Sequence, residues 1–274
     1  MTRLPAVSRV LLSLVLSALM TPLLAFDHEH AAWTDLLARH VTWNTQETAS
    51  TVDYDGFLRN RATLSRYLKD LAAVGQGEFD GWTQAERRAF LINAYNAWTV
   101  ELILTRYPKL ESIRDLGSLF KSPWKQQFFT LLGKPQTLDG VEHGLLRGAK
   151  DFDDPRIHFA VNCASVGCPA LRPEAFRAGD LDRQLEDQTE RFLRDRSRNR
   201  FDGKTGTFHL SRIFDWYGKD FERPFRGNSS LGAFLARYRE ALGLDADSAA
   251  KLAAGAIEID FLDYDWSLNR SLDQ

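Results

Sequence analysis

The chain has 274 residues, 44% of them hydrophobic and 12% aromatic, so it can bury a sizeable core without cross-links. Its 35 lysines and arginines nearly balance 37 aspartates and glutamates, and no segment concentrates either sign. That excludes the electrostatic footprint of a nucleic-acid binder.

The chain opens MTRLPAVSRVLLSLVLSALMTPLLAFDHEH. Arg3 and Arg9 precede an apolar run from Val10 to Met20, followed by Thr21, Pro22 and the small Ala25, which is the layout of a secretory signal peptide over residues 1–25. The run is shorter than the roughly 20 residues that span a bilayer. The expectation is a cleaved leader and a mildly acidic mature chain, periplasmic or secreted, with no membrane insertion after signal removal. His28 and His30, flanking Glu29, read as solvated residues of a frayed terminus.

No repeat, low-complexity tract or Pro/Ser linker divides residues 26–274, which predicts a single domain. Phe57, Leu58, Leu64, Leu68 and Leu71, spaced by threes and fours, predict an amphipathic helix over Tyr54–Leu71, closed by Gly75-Gln76-Gly77. Thr83-Gln84-Ala85-Glu86 is a capping box that opens a helix running to about Tyr107, before Pro108. Its interior, AFLINAYNAWTVELIL (Ala89–Leu104), is too apolar to face water, yet it carries Asn93 and Asn96 on one face. Buried amides need partners, so the two asparagines either bond a neighbouring backbone and fix the packing or line a polar site.

Phe128–Leu132 and Pro135–Leu138 predict a hairpin around a Gly133-Lys134 turn, and Asp139 predicts the cap of a short helix with Glu142 completing its box. Arg156–Asn162 (RIHFAVN) reads as a buried strand. Leu181–Arg194, Phe214–Phe221 and Leu231–Leu242 predict helices, Phe201–Leu210 a hairpin and Ala256–Leu262 a late strand. The sum is an α+β domain, helix-rich in its first half, with a long central apolar helix packed on a small, mostly antiparallel sheet. No glycine-rich phosphate loop is present, so no cofactor is expected. The basic run Arg191, Arg194, Arg196, Arg198 and Arg200 is interleaved with Glu190 and Asp195 and reads as a solvated helix end. Asp215, Trp216, Tyr217 and Asp220 could hold a sugar ring, or form core with one polar edge.

Both cysteines lie in IHFAVNCASVGCPALRPE, and three readings compete. In an oxidising compartment an even pair favours a Cys163–Cys168 disulfide, a small ring worth about 2 kcal/mol by chain entropy. A zinc site would need His143 and His158 to complete the ligands, but the cysteine spacing is wide and no metal is expected. A reactive thiol needs a nearby imidazole. On a regular strand, an odd separation puts His158 and Cys163 on opposite faces, so His143 is the better partner. His143 and Arg147 share a helical face, whereas the consecutive Glu142 and His143 diverge. The arginine favours the neutral imidazole that a general base requires.

LINAYNAWTV, TLDGVEHGLLR, IHFAVNCASVGCPALRPEAF, IFDWYGKDF and FLDYDWSLN, in that order, resemble the domain-of-unknown-function 547 family, with the likeness running from about Trp33 to Asn269. The resemblance implies an exported bacterial protein but no established reaction. It places Asn93, Asn96, Glu142, His143, Arg147, His158, Cys163, Cys168 and Pro169 on the family's blocks. The order of helix, histidine and strand is also similar to that of papain- and transglutaminase-like enzymes, with Asn93 where those carry cysteine. The leading expectation is a non-catalytic binding or assembly domain of the cell envelope, stapled at Cys163–Cys168. Its polar cleft would comprise Asn93, Asn96, Glu142, Arg147, His158 and Asn162 and hold a peptide or glycan. The alternative is a thiol-dependent hydrolase or acyl transferase using Cys163 and His143, with Asn93 or Asn96 polarising a carbonyl.

Overall fold

The structure, a computed structural model, describes residues 25–118, 121–148 and 154–271. The leader expected over residues 1–25 thus falls almost wholly outside the described residues. Helix α1 (Ala31–His40) leads into the antiparallel pair β1 (Val41–Trp43) and β2 (Ser50–Val52). The helix expected over Tyr54–Leu71 is two, α2 (Tyr54–Arg59) and α3 (Arg61–Ala73), which meet at Asn60. A single turn α4 (Gln76–Asp80) begins where the glycines were expected only to close the preceding helix.

The central helix α5 (Gln84–Leu104) starts on the expected box: Thr83 N–H donates to Glu86 Oε2 at 2.8 Å and Glu86 N–H to Thr83 Oγ1 at 3.2 Å. Nearly every residue from Ala89 to Leu104 is buried, because helices and loops surround α5 on all sides. It meets the hairpin β3 (Phe129–Leu131) and β4 (Lys134–Gln136) through Trp98, stacked on Phe129 at 4.6 Å. The turn of that hairpin is Leu132-Gly133, with φ of 53° and 72°, one residue earlier than expected. Both positions are left-handed, the geometry whose twist matches the flanking strands.

Residues Gly140–Leu146 form a π-helical turn, closed by Arg147 N–H on Glu142 O at 2.9 Å. Asp139 does not cap it; Thr137 Oγ1 accepts from Gly140 N–H instead, at 2.8 Å. Residues 156–162 are likewise no strand. Pro155–Phe159 is a 3₁₀ turn, capped by Asp154 and entered through the proline. A strand would put Ile157 and Phe159 on one face, but these residues bury into two different apolar clusters. The larger cluster is built on α1–α5, and the other gathers aromatic residues of the C-terminal third; the turn lies at their seam.

Helix α6 (Leu181–Arg194) has the expected bounds, and its buried Gln184 and Gln188 donate to the carbonyls of Ala175 and Ala170, bracing the segment after the cysteines. The hairpin β5 (Arg200–Asp202) and β6 (Thr207–Leu210) follows. Then come the short helices α7 (Ile213–Trp216), α8 (Gly218–Phe221), α9 (Leu231–Arg237), α10 (Arg239–Leu242) and α11 (Ala246–Ala253). Strand β7 (Glu258–Phe261) returns to pair in parallel with β6. The domain is α+β, with its strands divided among two antiparallel pairs and one mixed three-stranded sheet.

Beyond β7 the chain becomes a strap over the cysteine loop. Val166 N–H bonds Ser267 O, Gly167 N–H bonds Asp265 O, and Asn269 N–H bonds Ala164 O. Glycine suits position 167, since a Cβ there would lie 3.0 Å from the Asp265 backbone and press on the strap.

Candidate functional site

The strap, the cysteine loop, the π-turn and α7 enclose a cavity of about 320 Å³. Its wall carries Cys163, Cys168, His143, His158, Asp139 and Glu142 with several aromatic rings.

The two cysteines expected to pair in a disulfide lie side by side. Cys163 and Cys168 are free thiols, their sulfurs 2.8 Å apart, and Cys168 Sγ also accepts from Cys163 N–H at 2.8 Å. Cys163 is half-buried, and its sulfur meets Ser165 Oγ and Tyr264 OH, each at 3.1 Å. Burial pushes the Cys163 thiol up, but hydrogen bonds from Cys168, Ser165 and Tyr264 to its thiolate outweigh that, leaving it below the ordinary cysteine value. Burial and the adjacent Cys163 push the Cys168 thiol well up. The loop therefore holds one thiolate-prone sulfur and one proton-bearing neighbour.

His158 was expected to point away from Cys163. With residues 155–159 coiled into a 3₁₀ turn, strand alternation no longer applies, and His158 lines the same cavity as Cys163. It is 2% exposed. Its Nε2 bonds Asp220 Oδ2 at 2.8 Å and its ring stacks on Tyr217 at 4.0 Å. Its Nδ1 is buried with no partner among the described residues. Burial lowers the His158 pKa against the opposing pull of Asp220, so the imidazole is neutral, with Nε2–H on the carboxylate and an acceptor lone pair at Nδ1. Burial disfavours the Asp220 carboxylate, yet hydrogen bonds from His158 and from Arg147 Nε, at 2.6 Å, hold it well below the usual carboxylate range.

His143 sits differently. Arg147 Nη1–H donates to its Nδ1 at 2.6 Å, as their shared helical face predicts, so its proton lies on Nε2, 3.6 Å from Asp139. A histidine whose acceptor nitrogen is occupied presents a donor to the cavity. Glu142 is buried and accepts from Tyr217 OH at 2.7 Å. Arg147 stands behind this wall, its guanidinium 4.8 Å from the Tyr217 ring.

Asn93, Asn96 and Asn162 do not line the cavity. Asn93 bonds Phe176 backbone N and O at 3.0 and 2.7 Å, and Asn96 bonds Asn162 N and Ala160 O at 2.8 and 2.9 Å. Asn162 accepts from Ala164 N–H and donates to Pro169 O. Each amide replaces a strand ladder by pairing an irregular backbone, which is what a buried loop requires. The residue of α5 that reaches the cavity is Tyr95.

Sequence reasoning quoted the LINAYNAWTV and FLDYDWSLN blocks without singling out Tyr95, Tyr264 or Trp266, and it missed Trp124 and the link from Asp220 to His158. In the DWYGKD stretch, Trp216 is 45% exposed and lines the cavity, the Tyr217 ring stacks on His158, and Asp220 accepts from its Nε2–H. The basic run is spent on carboxylates and carbonyls, with Arg191 on Asp187 and Glu47, and Arg198 on Asp195, Thr48 O and Cys168 O. Among the described residues no group of three or more His, Cys, Asp or Glu is placed to hold a metal ion.

Residues 79–193 match the family described as a protein of unknown function, DUF547. The matched segment contains both cysteines, His143, His158 and the three asparagines, and ends before Tyr217, Asp220 and the strap. No curated protein and no solved structure matches the chain.

Proposed function

We propose that this cavity catalyses hydrolysis or acyl transfer through a cysteine nucleophile. Cys163 is the nucleophile, His158 the general base and Asp220 the residue that orients it. The observation that carries this reading is His158: a buried neutral imidazole with one nitrogen on an ionised carboxylate and the other without a partner among the described residues, lining the same cavity as the thiolate-prone Cys163. The base role passes from His143, whose acceptor nitrogen Arg147 occupies, to His158.

In the reaction, His158 Nδ1 takes the Cys163 proton and the sulfur attacks an ester or amide carbonyl carbon. The tetrahedral intermediate expels its alcohol or amine, which leaves with the proton from Nδ1, and a thioester remains on Cys163. Water or an acceptor amine then attacks the thioester, His158 again taking the proton, and the thiol is restored. Export by the leader would put the protein in the periplasm or outside the cell, where the site works only while the two thiols stay reduced.

The test is intact-mass trapping with 4-nitrophenyl ester and acyl-amide panels. The expected result is a single acyl adduct on Cys163, absent in Cys163→Ser, with turnover falling about 10²–10⁴-fold in His158→Gln. Full turnover in Cys163→Ser overturns the reading. A second reading, a non-catalytic envelope domain that holds a peptide or glycan, is favoured by the exposed Trp216 beside Trp266. It predicts ligand binding without any adduct.

A further inference from the structure

The cavity wall is chemically one-sided. Among the described residues, its charged side chains are the carboxylates Asp139 and Glu142, and no lysine or arginine lines it. Glu142 is 6% exposed, yet among the described residues its carboxylate takes one hydrogen bond, from Tyr217 OH, with His143 Nδ1 at 3.9 Å. A carboxylate has about four acceptor sites, and a buried one with a single neutral donor is under-compensated. The remaining wall is largely aromatic: Trp216 packs against Tyr264 at 4.8 Å and against Trp266 at 5.6 Å, and Trp124 meets Trp266 at 5.7 Å. Ring faces attract cations and carboxylates repel anions, so both walls select the same charge.

We infer that the cavity recognises a cationic nitrogen, a primary or methylated ammonium group on its substrate, with Glu142 as counter-charge and the Trp216, Tyr264 and Trp266 rings as its aromatic wall. This rests on the cavity being the substrate site proposed above, and it names the substrate class: an ester or amide carrying an ammonium group within a few bonds of the carbonyl. Asp139, half-exposed on the same lining, adds attraction for the incoming cation.

The test needs no turnover. Intrinsic tryptophan fluorescence of the full chain is titrated with tetramethylammonium and with methylammonium, against neopentyl alcohol as the neutral isostere and glucose as the sugar control. Saturable binding of the ammonium ions at least about tenfold tighter than the isostere is expected, weakening with salt and by about tenfold in Glu142→Gln. Asp139→Asn, at a half-exposed site, weakens it less and guards against a misfolded Glu142 variant. Equal affinity for neutral and charged probes, tighter binding of glucose, or affinity unchanged in both carboxylate variants overturns the inference. Failure of the catalytic reading alone shows as saturable ammonium binding by the parent chain without an acyl adduct.

Discussion

Cys163 and Cys168 belong to one loop, but their neighbours separate them: three donors converge on the first sulfur, while the second lies deeper and keeps its proton. The Tyr264 hydroxyl is one of those donors, at 3.1 Å, and its loss in Tyr264→Phe raises the Cys163 pKa and lowers the thiolate fraction at neutral pH. Alkylation of Cys163 by iodoacetamide at pH 7 is expected to slow about fivefold, the equivalent of one hydrogen bond of ~1 kcal/mol, and to recover at alkaline pH. An unchanged rate-against-pH curve would remove Tyr264 from the site. The residue types of this chemistry were legible in sequence, since both cysteines and both histidines stood out. Which histidine serves was not, because that depends on whether residues 155–159 alternate as a strand or coil as a 3₁₀ turn, and on a carboxylate 62 residues away.

At the scale of elements, α5 carries the site by tying down loops. Asn96 holds the backbone at Ala160 and Asn162, immediately before Cys163, and Asn93 holds Phe176. Truncating Asn96 to Ala leaves a buried N–H and a buried carbonyl unpaired, at a cost of about 1–3 kcal/mol for each group. Urea unfolding of Asn96→Ala is expected to show a loss of about 2–6 kcal/mol, with slower Cys163 alkylation because the loop is released. Asn93→Ala should lose similar stability with alkylation nearly unchanged, since Phe176 lies farther along the chain. Thr83→Ala, which removes a cap far from the cavity, should cost about 1 kcal/mol and leave alkylation alone. The box at Thr83 and the bounds of α6 were legible because both depend on contacts within one turn or one amphipathic face. The π-turn was not: it adds one residue to a helical turn whose sequence looks ordinary, and its reward is tertiary, bringing Glu142 and His143 to one cavity.

Across the whole molecule, the strap and the N-terminal segment close the two ends of the described chain onto the core. The segment before α1 is not frayed. His30 is 1% exposed, its Nδ1 lies 2.7 Å from Tyr67 OH, and Phe26 packs on Phe90 at 5.2 Å. Burial pushes the His30 pKa down to about 3. The unfolded chain protonates this imidazole near pH 6.5 and the folded chain does not, so the contribution to stability is complete above pH 6.5 and is lost as pH falls toward 3. The loss over that window is on the order of 5 kcal/mol. Urea midpoints between pH 7 and pH 4 are therefore expected to fall less steeply in His30→Gln than in the parent chain. Parallel curves would show that His30 is not buried as described.

The sequence by itself determined what short-range chemistry decides: the helices with strong periodicity and caps, the α+β class, the resemblance to the DUF547 family and the residues able to do chemistry. Tertiary structure alone decided how they are used. Two apolar clusters meet at Pro155–Phe159, and sharing Ile157 and Phe159 between them coils that segment and brings His158 onto the cavity that Cys163 lines. The hydrogen bond that His158 donates to Asp220 and the contact of Tyr264 OH with Cys163, both to partners remote in sequence, then set which nitrogen and which sulfur are free to react. No local pattern encodes such contacts, because their energy is gained only once distant segments have packed.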